Sequence, residues 1–415
     1  MKKFIVIGIT DAPRPSLSDE VLAVVSRGRV FSGGRRHHEI VGDVLPAGAE
    51  WIDITVPLDR VFGQYEHHFS AHPSQPVVVF ASGDPLFFGF ANTIRRKMPD
   101  AEVVLYPAFN SLQTLAHRLV LPYHDMRIVS LTGRPWPDFD QALIQRAQKM
   151  GVLTDREHTP AAIARRMMDY GYTHYVMHVG EHLGNPALER ISSLTLSDAA
   201  QRHFDYPNCL ILQALEPAGA DGQPSAAPHP LFGIPDHAFA LLDGREKMIT
   251  KMPIRLLTLQ ALDLPRRHIL WDIGFCTGSI SIEARLHFPH VRVEAFEIRQ
   301  EGEALMRENA RRFGTPGIGV HIGDFLEADL QSLPSPDAVF IGGHGGRLKD
   351  IMAKVLTRLT PDGIIVFNSV TSPKVPVNSR QLWDEACLGL GLRQDTPLRI
   401  QLNDYNPIEI LKCRR

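Results

Sequence analysis

Residues 269–284, ILWDIGFCTGSISIEA, decide the fold of the half of the chain that contains them. An apolar run of strand character ends at Asp272, a turn passes from Gly274 to Gly278, and a helical pattern begins near Ser279. Such a strand–loop–helix passage sets backbone amides and the positive end of a helix beside a ligand. A dinucleotide fingerprint G-x-G-x-x-G starting at Gly274 requires glycine at 276 and 279, where Cys276 and Ser279 stand, so the pyrophosphate reading fails twice. A site for S-adenosylmethionine (SAM) asks for less: room at the loop for the methionine end, and a carboxylate on the next strand for the ribose hydroxyls. Glu297 suits that role, and Asp324, after the third strand, is placed to accept from an adenine amino group. Asp272, Glu297 and Asp324 share the strand-end edge where open α/β sheets bind ligands. The bland alternative is that the two glycines make a tight turn and nothing more.

Outward from this stretch, short apolar runs alternate with helical patterns, which predicts βα units. In the second half strands are predicted at 269–273, 291–296, 320–322, 338–341, 364–367, 398–402 and 408–411, and helices at 279–287, 300–313, 347–359 and 379–388. The last two strands have no helix between them, a terminal hairpin typical of one large class of methyltransferases. In the first half strands are predicted at 4–9, 52–56, 77–81, 103–105, 127–131, 175–179 and 210–212, and mostly parallel sheets are expected in both halves. Between them, residues 216–230 (EPAGADGQPSAAPHP) hold four prolines, two glycines and no large apolar side chain, which reads as a linker. The expected domains are therefore 1–215 and 231–415, the latter Rossmann-like with a mostly parallel sheet.

Composition narrows the function classes. The 415 residues are 44% hydrophobic and 22% charged, which excludes disordered, collagenous and coiled-coil chains. With 44 basic against 46 acidic residues there is no cationic excess of the kind nucleic-acid partners favour. Cys209, Cys276, Cys387 and Cys413 show no CxxC spacing, so neither a disulfide framework nor a zinc cluster is indicated, and a reducing, cytoplasmic setting is expected. The opening MKKFIVIGIT has too short an apolar run for a signal peptide and reads as a buried strand. No apolar stretch approaches the ~20 residues that span a bilayer. The histidine clusters 37/38, 67/68/72 and 174/178/182 do not fall on one helix face, so no protein-held metal is expected.

Longer motifs carry a resemblance. GIPDHAF (233–239), ITKMPIR (249–255), the loop at 274–278 and DAVFIGGHGG (337–346) resemble the decarboxylating tetrapyrrole methyltransferases of cobalamin biosynthesis, which methylate carbon 15 and remove the carboxylate of the carbon 12 acetate. VVVFASGDPLFFG (77–89), YPAFNSLQTLAHRLVLPYHD (106–125), VSLTGRP (129–135), LTDREHTPAAIA (153–164) and GEHLG (180–184) are similar to tetrapyrrole methylases acting at carbon 5, which implies a two-lobed fold. The two in this order resemble the precorrin-6Y C(5),C(15)-methyltransferase (decarboxylating) family.

The resemblance implies SAM as cofactor, a tetrapyrrole (precorrin) substrate and a homo-oligomer, with no nucleic acid, membrane or metal. It implies cofactor binding by Ser82, Gly83, Asp84, Asn110, Ser111 and Thr132 in the first half. In the second half it implies Thr250, Asp272, Gly274, Phe275, Cys276, Thr277, Gly278, Glu297, Gly323 and Asp324. Arg134, Arg255, Gly342, Gly343, Gly345 and Gly346 are the implied substrate contacts, and His344 the catalytic candidate, since an imidazole suits proton traffic near neutral pH. Asp84 could instead cap the helix after Pro85. Further candidate cations for the substrate carboxylates are Arg35, Arg36, Lys251, Arg347 and Lys374. Three departures stand out: Cys276 in place of a loop glycine, Thr132 in place of a histidine, and GITDAP as a first loop poor in glycine. The alternatives are an RNA methyltransferase and a SAM-binding protein without chemistry.

Overall fold

The computed structural model describes residues 2–215, 232–245, 248–370, 379–403 and 406–415. The expected linker and the candidate cation Lys374 lie outside the described residues. The chain separates into two compact units. One gathers the described residues of Met1–Pro135, Gln148–Arg166 and His174–Leu215; the other gathers Trp136–Ala147, Met167–Thr173 and the described residues of Glu216–Arg415.

In the first unit, β1 (Lys3–Ile9), β2 (Val30–Gly33), β3 (Glu50–Asp53), β4 (Val77–Ser82) and β5 (Glu102–Tyr106) form one sheet in the order β3-β2-β4-β1-β5. Every pairing in it is parallel. Its central strands read as apolar runs because both faces are covered. Phe4, Val6, Val77 and Val79 pack with Val61, Phe62 and Tyr65 of the helix Leu58–Ala71 on one side. Ile7, Ile9, Val78 and Phe80 pack with Val21 and Val25 of the helix Asp19–Arg27 on the other.

The second sheet of this unit is the exception to the mostly parallel pairing of the sheets. It comprises β6 (Arg127–Ser130), β7 (Lys149–Leu153), β8 (Tyr175–Glu181), β9 (Arg190–Thr195) and β10 (Asn208–Ala214) in the order β6-β7-β10-β8-β9. Among these pairings β6 with β7 is parallel and the other three are antiparallel. The connection from β8 to β9 is too short for a crossover helix, so the chain returns beside itself.

The second unit holds one large sheet of β11 (Ile269–Ile273), β12 (Arg292–Glu297), β13 (Ile318–Ile322), β14 (Ala338–Ile341), β15 (Ile364–Val370), β16 (Arg393–Gln394), β17 (Leu398–Ile400) and β18 (Ile408–Arg414). The order is β13-β12-β11-β14-β15-β18-β16, with β17 also on β18. β11 to β15 pair in parallel, and β18 returns antiparallel to β15, from Ile364 opposite Arg414 to Val370 opposite Ile408. Strand order reverses between β11 and β14, and a crevice opens at such a switch point. Trp271, Ile273, Val339 and Ile365 pack on one face with the helix Leu348–Leu356, while Leu270, Phe340 and Val366 pack on the other with the helix Met252–Ala261. Among the described residues no helix is long and apolar enough to cross a membrane.

Candidate active sites

Each unit has a cavity at the carboxyl ends of its parallel strands. In the second unit it measures about 410 Å³ and is lined by Asp272 of β11 with Gly274, Phe275, Cys276 and Thr277 after it, by Glu297 at the end of β12 with Arg299 after it, and by Gly323 and Asp324 after β13. Gly342, Gly343, His344, Gly345 and Arg347 follow β14, and Thr250 adds to the rim. The turn after β11 alternates through the left-handed region at Gly274 (φ 79°), Cys276 (φ 51°) and Gly278 (φ 74°). That conformation favours glycine and strains a cysteine, which explains why a glycine is expected where Cys276 stands.

The carboxylates differ in environment. Cys276 N–H donates to Glu297 Oε2 at 2.9 Å, while Arg299 donates from its backbone and its guanidinium to Oε1 at 3.1 and 3.0 Å. Asp324 accepts from Leu326 N–H at 3.0 Å and pairs with Arg347 at 2.8 Å; both hold its carboxyl below the usual range. Asp272 is fully buried. Ser281 donates to its Oδ2 at 2.6 Å, and its Oδ1 has no partner. Burial pushes Asp272 up to about 7 despite the Ser281 hydrogen bonds, and the Glu297 charge adds to the rise. His344 accepts from Gly346 N–H at Nδ1 (3.1 Å) and stands edge-on to Phe367. Burial pulls His344 below its ordinary value, so at neutral pH it is a neutral imidazole with its proton on Nε2.

Several expected contacts are corrected. Arg255 does not line the cavity: it is fully buried, its Nε donates to Glu283, and its other nitrogens donate to the carbonyls of Thr250 and Ile234. A guanidinium so engaged ties the segments at 234 and 250 to the helix Ser279–His287 and is closed to substrate. Gly278 is packed instead of open, since a Cβ there would meet Met306 Sδ at 2.4 Å. Gly274 and Gly343 serve each other, because a Cβ on Gly274 would sit 2.6 Å from Gly343 N. Gly345 and Gly346 have open space. Lys251 pairs with Asp236 at 3.7 Å outside the lining.

The cavity of the first unit measures about 700 Å³. Ser82, Gly83, Asn110, Ser111, Thr132 and Arg134 line it. Asn110 also caps the helix Ser111–Leu119, accepting from Gln113 N–H at 2.9 Å. Asp84 is absent from the lining: its carboxylate accepts from Leu86 N–H at 2.8 Å and closes a turn before the next helix, which begins at Phe90. Arg35 is 93% exposed and pairs with Glu39, so the substrate role expected of it is not supported. Arg36 lines the cavity, reaching Asp11 at 3.2 Å and Ser82 Oγ at 3.3 Å.

Residues 23–200 match the family model described as tetrapyrrole (corrin/porphyrin) methylases, and residues 242–382 that of the precorrin methyltransferase domain. A precorrin-6Y C(5,15)-methyltransferase [decarboxylating] from Sinorhizobium sp is 34% identical over 368 residues, covering 88% of this chain and 84% of that one. The chain belongs to the precorrin-6Y C(5,15)-methyltransferase (decarboxylating) family. A relative of the same name from Mycobacterium tuberculosis is 29% identical over 88% of this chain and 87% of its own. A solved precorrin-6Y C5,15-methyltransferase structure from Geobacter metallireducens GS-15 is 31% identical, covers 45% of this chain and all of its own, and superposes with a TM-score of 0.40.

For a member of this family, the first-unit cavity holds side chains the sequence reading missed: Asp11, His37, Phe88, Phe109 and Tyr206. Asp11 lies two residues beyond the end of β1, so the strand-end rule that singled out Asp272 would have found it. Phe88 lies under the Arg134 guanidinium, 4.8 Å from its ring centre, and is held at φ 53°. Nothing in the hydrophobic pattern marks that geometry.

Proposed function

We propose that this chain is a bifunctional SAM-dependent C-methyltransferase of corrin-ring biosynthesis. Residues 1–215 would methylate precorrin-6Y, or its cobalt form, at carbon 5. Residues 231–415 would methylate carbon 15 and remove the carbon 12 acetate carboxylate, with 216–230 as the linker. The reading has the chain working as a homo-oligomer in the cytoplasm. What carries it is a cavity in each unit at parallel strand ends, in a chain of a family whose relatives are named for both carbons.

The second cavity suits a cationic cofactor. The unpartnered Asp272 Oδ1 is a buried acceptor that an ammonium group would satisfy, and Glu297 and Asp324 extend the acidic lining. Asp272, the 274–277 loop, Glu297, Gly323 and Asp324 would hold SAM here; Ser82, Gly83, Ser111 and Thr132 would hold it in the first unit. When bound, SAM supplies an activated methyl group. The protein's part is to hold an electron-rich ring carbon in register and exclude water, and positioning alone is worth ~7–11 kcal/mol of barrier.

Decarboxylation breaks the bond between the acetate methylene and its carboxylate. The electron pair passes into the conjugated ring, and a proton is needed where charge arrives. His344, presenting Nε2–H beside the open Gly345–Gly346 backbone, is the proposed relay: the ring gives up its Nε2 proton as Nδ1 takes one from solvent in place of its Gly346 contact, so the imidazole ends neutral. His344→Ala is expected to slow carbon dioxide release ~10²–10⁴-fold while carbon 15 methylation persists; unchanged release removes the role. The function itself is tested by incubating the purified chain with SAM and precorrin-6Y, and separately with its cobalt form. Mass spectrometry should show two added methyl groups and one lost carboxylate, and a product without either change overturns the reading.

A further inference from the structure

Methyl transfer from a sulfonium to carbon leaves a charge to discharge. As the carbon–methyl bond forms and the sulfur–methyl bond breaks, the sulfur becomes neutral and the ring gains one positive charge. The carbon–hydrogen bond at the methylated carbon then breaks, its electron pair returns to the ring, and the proton needs an acceptor. We infer that in the first unit this acceptor is the His182 imidazole, oriented by Asp11. The inference rests on the proposed carbon 5 methylation.

Asp11 is the carboxylate among the described residues lining the cavity, and its side chain is 12% exposed. Its two oxygens are divided: Arg36 takes Oδ1 at 3.2 Å, and His182 Nδ1 stands 3.5 Å from Oδ2. Once that contact closes to a hydrogen bond, a carboxylate at Nδ1 selects the tautomer that leaves Nε2 as the base, the logic of an oriented base in general. The long contact is of the kind that tightens when substrate binds. His182 adjoins the lining without being part of it: Gly180 and Leu183, on either side of residues 181–182, line the cavity.

The backbone there is held in an unfavourable place. His182 has φ 47°, uncommon for a residue with a side chain, and its N–H donates to Pro207 O at 2.9 Å. Two residues on, Gly184 N–H donates to Glu189 Oε2 at 2.6 Å while Arg118 holds Oε1 at 2.6 Å. A Cβ on Gly184 would come within 3.2 Å of Thr10, so the 182–184 loop lies against the residue preceding Asp11. The surroundings thus over-determine a strained residue whose ring faces a cavity carboxylate.

The imidazole that does line the cavity, His37, is spent. His37 accepts from Gly34 N–H at Nδ1 (3.2 Å) and meets Ser82 Oγ with Nε2 (2.9 Å); burial, with the Arg36 charge, pushes it down to about 4. Cys209 is buried and pushed up to about 12. The groups around the pair are therefore the charged Arg36, the neutral His37 and the Arg118–Glu189 clamp.

The test uses the full chain, in which the second unit is an internal control. His182→Asn can still reach Asp11 but cannot take a proton. Its kcat for carbon 5 methylation is expected to fall ~10²–10⁴-fold, with KM for SAM, carbon 15 methylation and carbon dioxide release unchanged and the low-pH limb of the kcat profile lost. Independently of turnover, imidazole nitrogen resonances of the ligand-free chain should show His182 protonated at Nδ1, shifting to Nε2 in Asp11→Asn. A wild-type rate and pH profile in His182→Asn, or an Nε2-protonated His182 in the wild type, overturns the inference alone. A wild-type chain that methylates carbon 15 and never carbon 5 overturns the reading beneath it as well.

Discussion

Replacing Arg255 by leucine is expected to destabilise the second unit by about 3–5 kcal/mol and to leave the KM for tetrapyrrole unchanged in the molecules that remain folded. Arg255 and Glu283 are both fully buried and joined through Arg255 Nε. Removing the guanidinium strands a carboxylate in the interior, supported by the amides of Gly233 and Ile234 at 2.6 and 3.1 Å. It also leaves the carbonyls of Ile234 and Thr250 without their donor. An uncompensated buried charge costs far more than the pair itself contributes. The double variant Arg255→Leu with Glu283→Leu should therefore recover part of the loss. Trp271 and Trp383, both fully buried in this unit, report its unfolding in denaturant by fluorescence. A normal midpoint combined with weakened tetrapyrrole binding would return Arg255 to the role its motif suggested.

Arg255 also shows where the sequence stops being legible. A cation inside a motif carries no sign of whether its side faces a cavity or a core; the helix Met252–Ala261 was itself unread, since Pro253 and an apolar run obscure its period. The central strands of the large sheet were legible because apolar runs of three or four residues (ILW, AVFI, IIVF), covered on both faces, have few other uses. Strand-end carboxylates followed from them. In the first unit β2 is four residues between glycines and charges, and β7 carries Lys149 and Gly151, so neither shows an apolar run. Gly151 is there because Leu112 and Met126 press on it, a tertiary cause invisible locally. The same holds for Asp11 and His182, whose meeting depends on two distant loops packing together.

Asp272→Asn is expected to do opposite things to stability and to binding. A carboxyl whose folded value is about 7, raised from an ordinary 3.8, binds its proton more tightly folded than unfolded. Below pH 3.8 both states hold the proton and Asp272 ionisation costs nothing; between 3.8 and 7 the penalty grows; above 7 it is complete, at about 4 kcal/mol for a shift of this size. Asparagine removes the penalty, so the ligand-free variant should match wild type near pH 4 and exceed it increasingly toward pH 8, measured by denaturant unfolding of the second unit. Binding runs the other way. An ammonium placed at Oδ1 favours the carboxylate, so wild type should release a proton when SAM binds near pH 6.5 and bind more tightly as pH rises. The variant should release none and bind ~10–100-fold more weakly, the scale of one hydrogen bond to a charged group. Calorimetry in buffers of different ionisation heat counts the proton. If both proteins release none and their stabilities run parallel from pH 4 to 8, Asp272 is a structural acid held by Ser281, and the acidic edge of the crevice has another purpose.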